Sequence, residues 1–296
     1  MHPSFVLDHY SHYTTNQNSP MTTQTIAFIG AGNMARSLIG GLVAGGYPAH
    51  AIIATDPLDS KCHALQQHFS IETSHDNRLA VERADIVVLA VKPQIMRDVA
   101  TDLAASIQQR QPLVVSIAAG IRAATLDEWL GGHTALVRCM PNTPALVQCG
   151  ATGLYANPRV SQSQHEAAES IMRAVGLTVW VDDEALLDSV TALSGGGPAY
   201  FFLVIEALEN AGVELGLTRD QARLLALETA FGAAKMALES DESPAELRAR
   251  VTSPGGTTEQ ALAVLQDGEL EALFAKALRA ARQRCHELSD LLSQNR

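Results

Sequence analysis

Residues 25–46 read TIAFIGAGNMARSLIGGLVAGG, and the order of elements inside this stretch decides how the first half of the chain folds. TIAFI (25–29) is a short run rich in β-branched and aromatic residues, the composition of a buried strand. It runs directly into Gly30-Ala31-Gly32-Asn33-Met34-Ala35, a G-x-G-x-x-A pattern, and then into the helix-like ARSLIGGLVAGG. The first glycine makes the tight turn, the second lets the backbone approach a pyrophosphate, and the alanine permits close packing of the helix. A second apolar run, AIIAT (51–55), leads to Asp56, 24 residues beyond Gly32. A carboxylate there accepts from the ribose 2′-hydroxyl of NAD and repels a 2′-phosphate. Arg36 and Lys61 offset that repulsion if they reach the same pocket. The constellation predicts a site for a nicotinamide or flavin dinucleotide.

The same rhythm continues beyond the first helix. DIVVLAV (85–91), PLVVSI (112–117), TALVR (134–138) and LTVWV (177–181) alternate with helical stretches, the signature of a parallel sheet covered by helices. DIVVLAV is apolar on both faces and belongs at the centre of the sheet. Beyond Asp183 strand signals cease, and Ala, Leu and Glu dominate to the end. A helix opening at Pro198, AYFFLVIEALENAG, is apolar nearly all round over its first turns. Such a helix must be covered on several sides, which in so small a domain points to a subunit partner. The resulting division is a polar, flexible extension over 1–22, a dinucleotide-binding domain over 23–183 and a helical domain over 184–296.

Composition narrows the function. With 296 residues and 47% apolar side chains, at a mean hydropathy of +0.05, the chain can fill two cores. Its net charge of −11 and its four lysines argue against a nucleic-acid partner, which needs clustered cations. Runs such as Ile86 to Val91 and Tyr200 to Ile205 fall short of the ~18 residues of a membrane span. Cys62, Cys139, Cys149 and Cys285 are scattered without zinc spacing, so no metal site or disulfide framework is expected and a reducing cytoplasm fits best. The first twenty residues lack the basic start and apolar run of a secretory signal.

One further stretch asks for a function. VTSPGGTTEQAL (251–262) places two glycines, a proline, a serine and two threonines before a helix, with no cation among them. Thr257 to Gln260 fit a capping box with Thr257 as N-cap. The glycines and the helix start together converge several backbone N–H groups on one point, as an anion site requires.

With FIGAGNMA, AVKPQ (90–94), SIAAGI (116–121), RCMPNTPALV (138–147), SGGGPAYFF (194–202), GAAKM (232–236) and SPGGTTE (253–259) in this order, the chain resembles the pyrroline-5-carboxylate reductase family from about Thr25 to Leu288. The resemblance implies an α/β Rossmann-type dinucleotide-binding domain followed by an all-α domain for substrate binding and dimerisation. It implies reduction of the cyclic imine 1-pyrroline-5-carboxylate to L-proline, the last step of proline biosynthesis, with NADP(H) or NAD(H). Cofactor residues carried over are Ile29, Gly30, Ala31, Gly32, Asn33, Met34 and Ala35 at the pyrophosphate, with Asp56 and Asn77 near the adenosine ribose. Ala90, Val91, Lys92, Pro93, Ser116, Ile117 and Ala118 would line the trough, and Asn142 would lie by the nicotinamide. Ser253 and the N–H groups of Gly255, Gly256, Thr257 and Thr258 would hold the substrate carboxylate. The Thr258 hydroxyl would bond the ring nitrogen, as proton donor or as orienting group. The family also implies a homodimer, with a larger assembly such as a decamer left open, in which the SPGGTT loop of one chain meets the cofactor domain of the other.

Two departures stand out: Gly196 replaces the small polar residue common in the family, and Asp56 replaces the hydroxyl residue of many NADPH-preferring members. A β-hydroxyacid-type dehydrogenase is the nearest rival, but it needs a lysine in the first long helix of its second domain, and none lies between Lys92 and Lys235. A non-catalytic dinucleotide sensor would have no use for the SPGGTT loop.

Overall fold

The computed structural model describes residues 23–294; the expected extension over 1–22 lies outside them but for its boundary. The chain forms two compact units, one running to Pro198 and resuming at Leu278, the other spanning Ala199–Ala277.

The first unit is built on an eight-stranded sheet. Its strands are β1 (Ile26–Ile29), β2 (Ile52–Thr55), β3 (Glu72–Ser74), β4 (Ile86–Leu89), β5 (Leu113–Ser116), β6 (Leu136–Met140), β7 (Gly150–Ala156) and β8 (Gly176–Trp180), in the spatial order 3-2-1-4-5-6-7-8. Strands β1, β2, β4 and β5 are buried throughout, which is why their sequences carry no polar alternation. The run at 85–91 is central, as expected. Two strands escaped the sequence reading. Strand β3 is the three polar residues ETS at the sheet edge, and β7 is the glycine-containing GATGLYA. The sheet is parallel as expected except at one pairing: β7 runs antiparallel to β6, and β8 then pairs parallel with β7.

Helices cover both faces. They are α1 (Asn33–Ala44), α2 (Asp59–Phe69), α3 (Asn77–Arg83), α4 (Pro93–Arg110), α5 (Ala123–Trp129) and α6 (Gln162–Arg173). Alternate residues of β1 feed opposite cores. Ile26 and Phe28 pack in one core with Leu38, Ile39 and Leu42 of α1 and with Ile171 and Met172 of α6. Ala27 and Ile29 pack in the other with Met96, Leu103 and Ile107 of α4 and with Leu126 of α5. Each such Leu or Ile contributes about 1.5–3 kcal/mol through burial.

After β8 no strand occurs among the described residues. Helix α7 (Leu186–Val190) passes through a π-helical turn at Thr191–Gly195 into α8 (Gly197–Glu214). Then come α9 (Arg219–Glu239), α10 (Pro244–Arg250), α11 (Thr257–Asp267) and α12 (Leu270–Gln294). Ser243 and Thr218 start α10 and α9 with reciprocal capping boxes. Contrary to the reading from uninterrupted apolar runs, Leu186–Glu214 is a continuous helical stretch long and apolar enough, by length and composition, to cross a membrane. The apolar start of α8 is uncovered in the single chain: Phe201 and Phe202 are 68% and 66% exposed.

Candidate active site

The cradle for a dinucleotide is assembled where β1 and β4 end side by side, Ile29 paired with Leu89. Strand β2 lies on one flank of β1 and β4 on the other, so the crevice sits at the point where the strand order reverses, the usual ligand position of such sheets. Gly30 turns the chain with φ +104, and a Cβ there would stand 2.8 Å from the Ala90 carbonyl oxygen. No other residue fits that conformation and that gap. Gly32 is the N-cap of α1 and offers no side-chain cap, and a Cβ on it would meet nothing within 4 Å. The first amide to bond back into the helix is that of Arg36, to the Gly32 carbonyl at 2.9 Å. The N–H groups of Asn33, Met34 and Ala35 therefore face open space at the positive end of a 12-residue helix, which suits a diphosphate.

The other expected trough residues gather on this same edge. Ala90 follows β4 and donates its N–H to the Ile29 carbonyl at 2.8 Å. Lys92 caps α4 and Pro93 is its first residue, where the missing proline N–H costs nothing. Ser116 ends β5, and its hydroxyl accepts from the Ala118 N–H at 3.4 Å; Ile117 donates to the Leu89 carbonyl at 3.2 Å. Asn77 opens α3 behind the N-cap Asp76 and takes the Thr55 hydroxyl proton on Oδ1 at 2.6 Å.

Asp56 is held more firmly than a ribose reader needs to be. Its side chain is 6% exposed. One carboxylate oxygen accepts from the Ala31 N–H at 3.1 Å and from Lys61 Nζ at 3.0 Å, and the other from the Leu58 N–H at 3.1 Å. Burial by itself would raise the Asp56 carboxyl, but the Lys61 ammonium and the Ala31 and Leu58 amides outweigh it and hold the carboxyl below its ordinary value. Lys61 thus does reach the Asp56 pocket; Arg36 forms no ion pair among the described residues. His75, beside the overlooked strand β3, donates from Nδ1 to the Asp56 carbonyl at 2.8 Å and faces Asp59 through Nε2 at 2.8 Å. Those contacts, the Asp56 carbonyl first, raise its basicity against the opposing effect of desolvation. The polar, three-residue β3 gave no periodic signal that would have placed His75 here.

Asn142 follows β6 and is 8% exposed. Its amide is spent inside the protein, donating to the Ser194 carbonyl at 3.0 Å and accepting from the Ala151 N–H at 2.9 Å. It ties the loop after β6 to β7 and to the π-helical turn, a conformation frequent at functional sites.

In the helical unit, the turn before α11 differs in detail from the sequence reading. Gly256, not Thr257, is the N-cap, and no side chain caps the helix. The residue that reaches back is Glu259, whose carboxylate accepts from the Gly255 N–H at 2.7 Å. The threonine cap fails because the helix begins one residue earlier than its consensus suggests, with Thr257 already helical. Gly255 adopts φ +71, a conformation that favours glycine. The Gly256 N–H is also taken, by the Ser253 carbonyl at 2.9 Å. Two of the four expected amide donors are therefore engaged, while those of Thr257 and Thr258 have no partner among the described residues, nor do the hydroxyls of Ser253 and Thr258. The result is a small turn of free donors on an 11-residue helix, built without a basic residue from Val251 to Leu262.

Two family models match the chain. Residues 184–288 match the family model for pyrroline-5-carboxylate reductase dimerisation, and residues 25–120 match that for NADP oxidoreductase, coenzyme F420-dependent. A pyrroline-5-carboxylate reductase of Pseudomonas aeruginosa is 54% identical over 93% of this chain and 100% of its own length. The structure of a pyrroline-5-carboxylate reductase from Coxiella burnetii superposes with a TM-score of 0.88 at 48% identity, covering 90% of this chain and 99% of the other. That of the Plasmodium falciparum pyrroline carboxylate reductase with NADP bound gives 0.79 at 28% identity, over 91% of this chain and 99% of the other. With a glycine cradle at the end of β1, a glycine-rich turn before α11, and relatives matched from end to end, the chain belongs to the pyrroline-5-carboxylate reductase family.

Proposed function

We propose that this chain reduces the ring C=N bond of 1-pyrroline-5-carboxylate to give L-proline, the last step of proline biosynthesis, with NADPH or NADH as reductant. The observation that carries the reading is the turn before α11. It offers a carboxylate the Thr257 and Thr258 amides, the Ser253 hydroxyl and a helix N-terminus, without a cation that would compete with a positively charged imine. Gly255 and Gly256 shape the turn and let the ligand come close. The Thr258 hydroxyl is left to bond the ring nitrogen.

When bound, the nicotinamide supplies the hydride. The protein holds the diphosphate on the amides of Asn33 to Ala35, lines the trough with residues 90–93 and 116–118, and keeps Asn142 as a strut behind the nicotinamide end. Hydride adds to the imine carbon, and the C=N π pair becomes the lone pair of a neutral secondary amine. A protonated imine therefore needs no strong base, and the enzyme contributes mainly proximity and alignment. The test is steady-state oxidation of NADPH and NADH with pyrroline-5-carboxylate. Turnover with proline as product supports the reading; no oxidation above a control lacking substrate overturns it.

The working assembly in this proposal is a homodimer in the cytoplasm. Its support is the apolar face of residues 199–277 together with the match to a dimerisation model, and the described cysteines are all free. The face of Leu186–Glu214 meets a second copy instead of a bilayer, and the carboxylate turn of one chain serves the cofactor unit of the other. Sedimentation without detergent distinguishes the dimer from a larger ring such as a decamer.

A further inference from the structure

The cofactor preference turns on a conflict at the end of β2. An aspartate there ordinarily selects NADH by accepting from the ribose 2′-hydroxyl. Asp56 is poorly placed for that work. Its two oxygens already take three donors, two amides and one ammonium, and its charge is neutralised at 3.0 Å by Lys61. The Ala31 amide that it holds belongs to the glycine loop itself. Lys61 is different. Its side chain is 43% exposed, and an ammonium has three donors, of which Asp56 uses one.

Resting on the reductase reading, we infer that Lys61 is the group that reads the cofactor's 2′-phosphate. Asp56 acts as a positioning residue, anchoring the Lys61 ammonium beside the ribose and fixing the glycine loop through Ala31. A phosphate approaching this edge meets an ion pair with spare N–H donors instead of a bare carboxylate. A 2′-hydroxyl meets a carboxylate whose acceptor sites are largely filled. The chain thereby discriminates for the phosphorylated dinucleotide despite the aspartate.

The test is calorimetric binding of 2′,5′-ADP and 5′-ADP to the full chain, which reads the 2′-phosphate without hydride transfer. The parent should bind 2′,5′-ADP more tightly. Lys61→Met should lower the ratio of the two affinities about tenfold, the lower range for a charge-assisted hydrogen bond on a half-exposed group. Lys61→Arg should restore most of that ratio. Asp56→Asn should weaken both nucleotides through the loop while leaving the preference for 2′,5′-ADP, a pattern that a ribose reader would not give. Equal binding of the two nucleotides by the parent, or an unchanged ratio in Lys61→Met, overturns the assignment and leaves the reductase reading standing. Binding of neither nucleotide would overturn both.

Discussion

The unit built on the sheet and the unit built from helices put their apolar residues in different places. Around the sheet, Phe28, Leu38, Leu89, Met96 and Leu103 are wholly enclosed within one chain. In residues 199–277 the only buried apolar side chains are Ala222 and Ala226, while Phe201, Leu203, Leu224, Phe231 and Val264 stand exposed. Two alanines cannot offset the ordering entropy of the helices in this unit. One unit encloses its own core, and the other leaves its apolar side chains exposed in the single chain, as half of the proposed dimer would. The difference also separates the two candidate sites: the glycine cradle sits on an edge packed within one chain, and the SPGGTT turn on helices whose apolar faces the single chain leaves exposed.

The sharpest way to break this comparison is a charge on the uncovered face. Phe201→Asp should convert the dimer to monomer, because an unpaired charge enclosed twice by symmetry costs on the order of several kcal/mol. Sedimentation should show loss of the larger species, and turnover should fall with it. A dimer that survives with full activity would place the interface elsewhere.

On the sheet unit, a comparable blow to function should leave the fold intact. A Cβ at Gly32 meets no neighbour, so Gly32→Glu should keep the parent's melting temperature. It sets a carboxylate against the diphosphate, worth ~4 kcal/mol at ~4 Å and a dielectric near 20 before screening. NADPH binding should weaken by about 100-fold in equilibrium titration. Unfolding instead of lost binding would mean that the edge is less self-sufficient than its packing implies.

Within the turn, Thr258→Val keeps the branched shape and deletes the hydroxyl. Loss of about 1.5–3 kcal/mol predicts a roughly 10- to 150-fold drop in kcat/KM with the dimer retained. Activity within twofold of the parent would remove Thr258 from the mechanism. The smallest effect concerns acid. Because the Asp56 carboxyl is held below its ordinary value when folded, its stabilisation is complete above the unfolded-state value near pH ~3.9 and is lost as pH falls through the lower folded value. Asp56→Asn should flatten the acid limb of the stability curve, and an unchanged limb would contradict the ion pair.

The sheet unit was legible because its signals are local and self-contained. Gly30, Gly32 and Ala35 declare the turn, and DIVVLAV declares a central strand. What escaped was set by neighbours: β7 is recognised as a strand only through β6 and β8, and His75 joins the site only because β3 brings it back to Asp56. The aspartate was visible and Lys61 was named as a cation that could reach it, but the bond from the Ala31 amide was not, since a contact across 25 residues leaves no periodic trace. In the helical unit the SPGGTT turn was found, yet its cap was assigned one residue late and the clasp of Glu259 on Gly255 was missed. The apolar surplus of α8, read as a sign of a partner, does stand exposed in the single chain and lies within the residues that match the dimerisation model.

The proposed dependence of the second unit on another copy, and the proposed sharing of each site between copies, are tested most directly with two crippled chains. Gly32→Glu ruins the cradle. Gly256→Glu ruins the turn, where even a Cβ would lie 2.9 Å from the Ser253 carbonyl oxygen. Each variant alone should be inactive. Purified mixed dimers should hold one site with both defects and one with neither, and should recover up to about half the parent's activity per dimer. Mixed dimers that form but remain inactive would show that each site is built within a single chain.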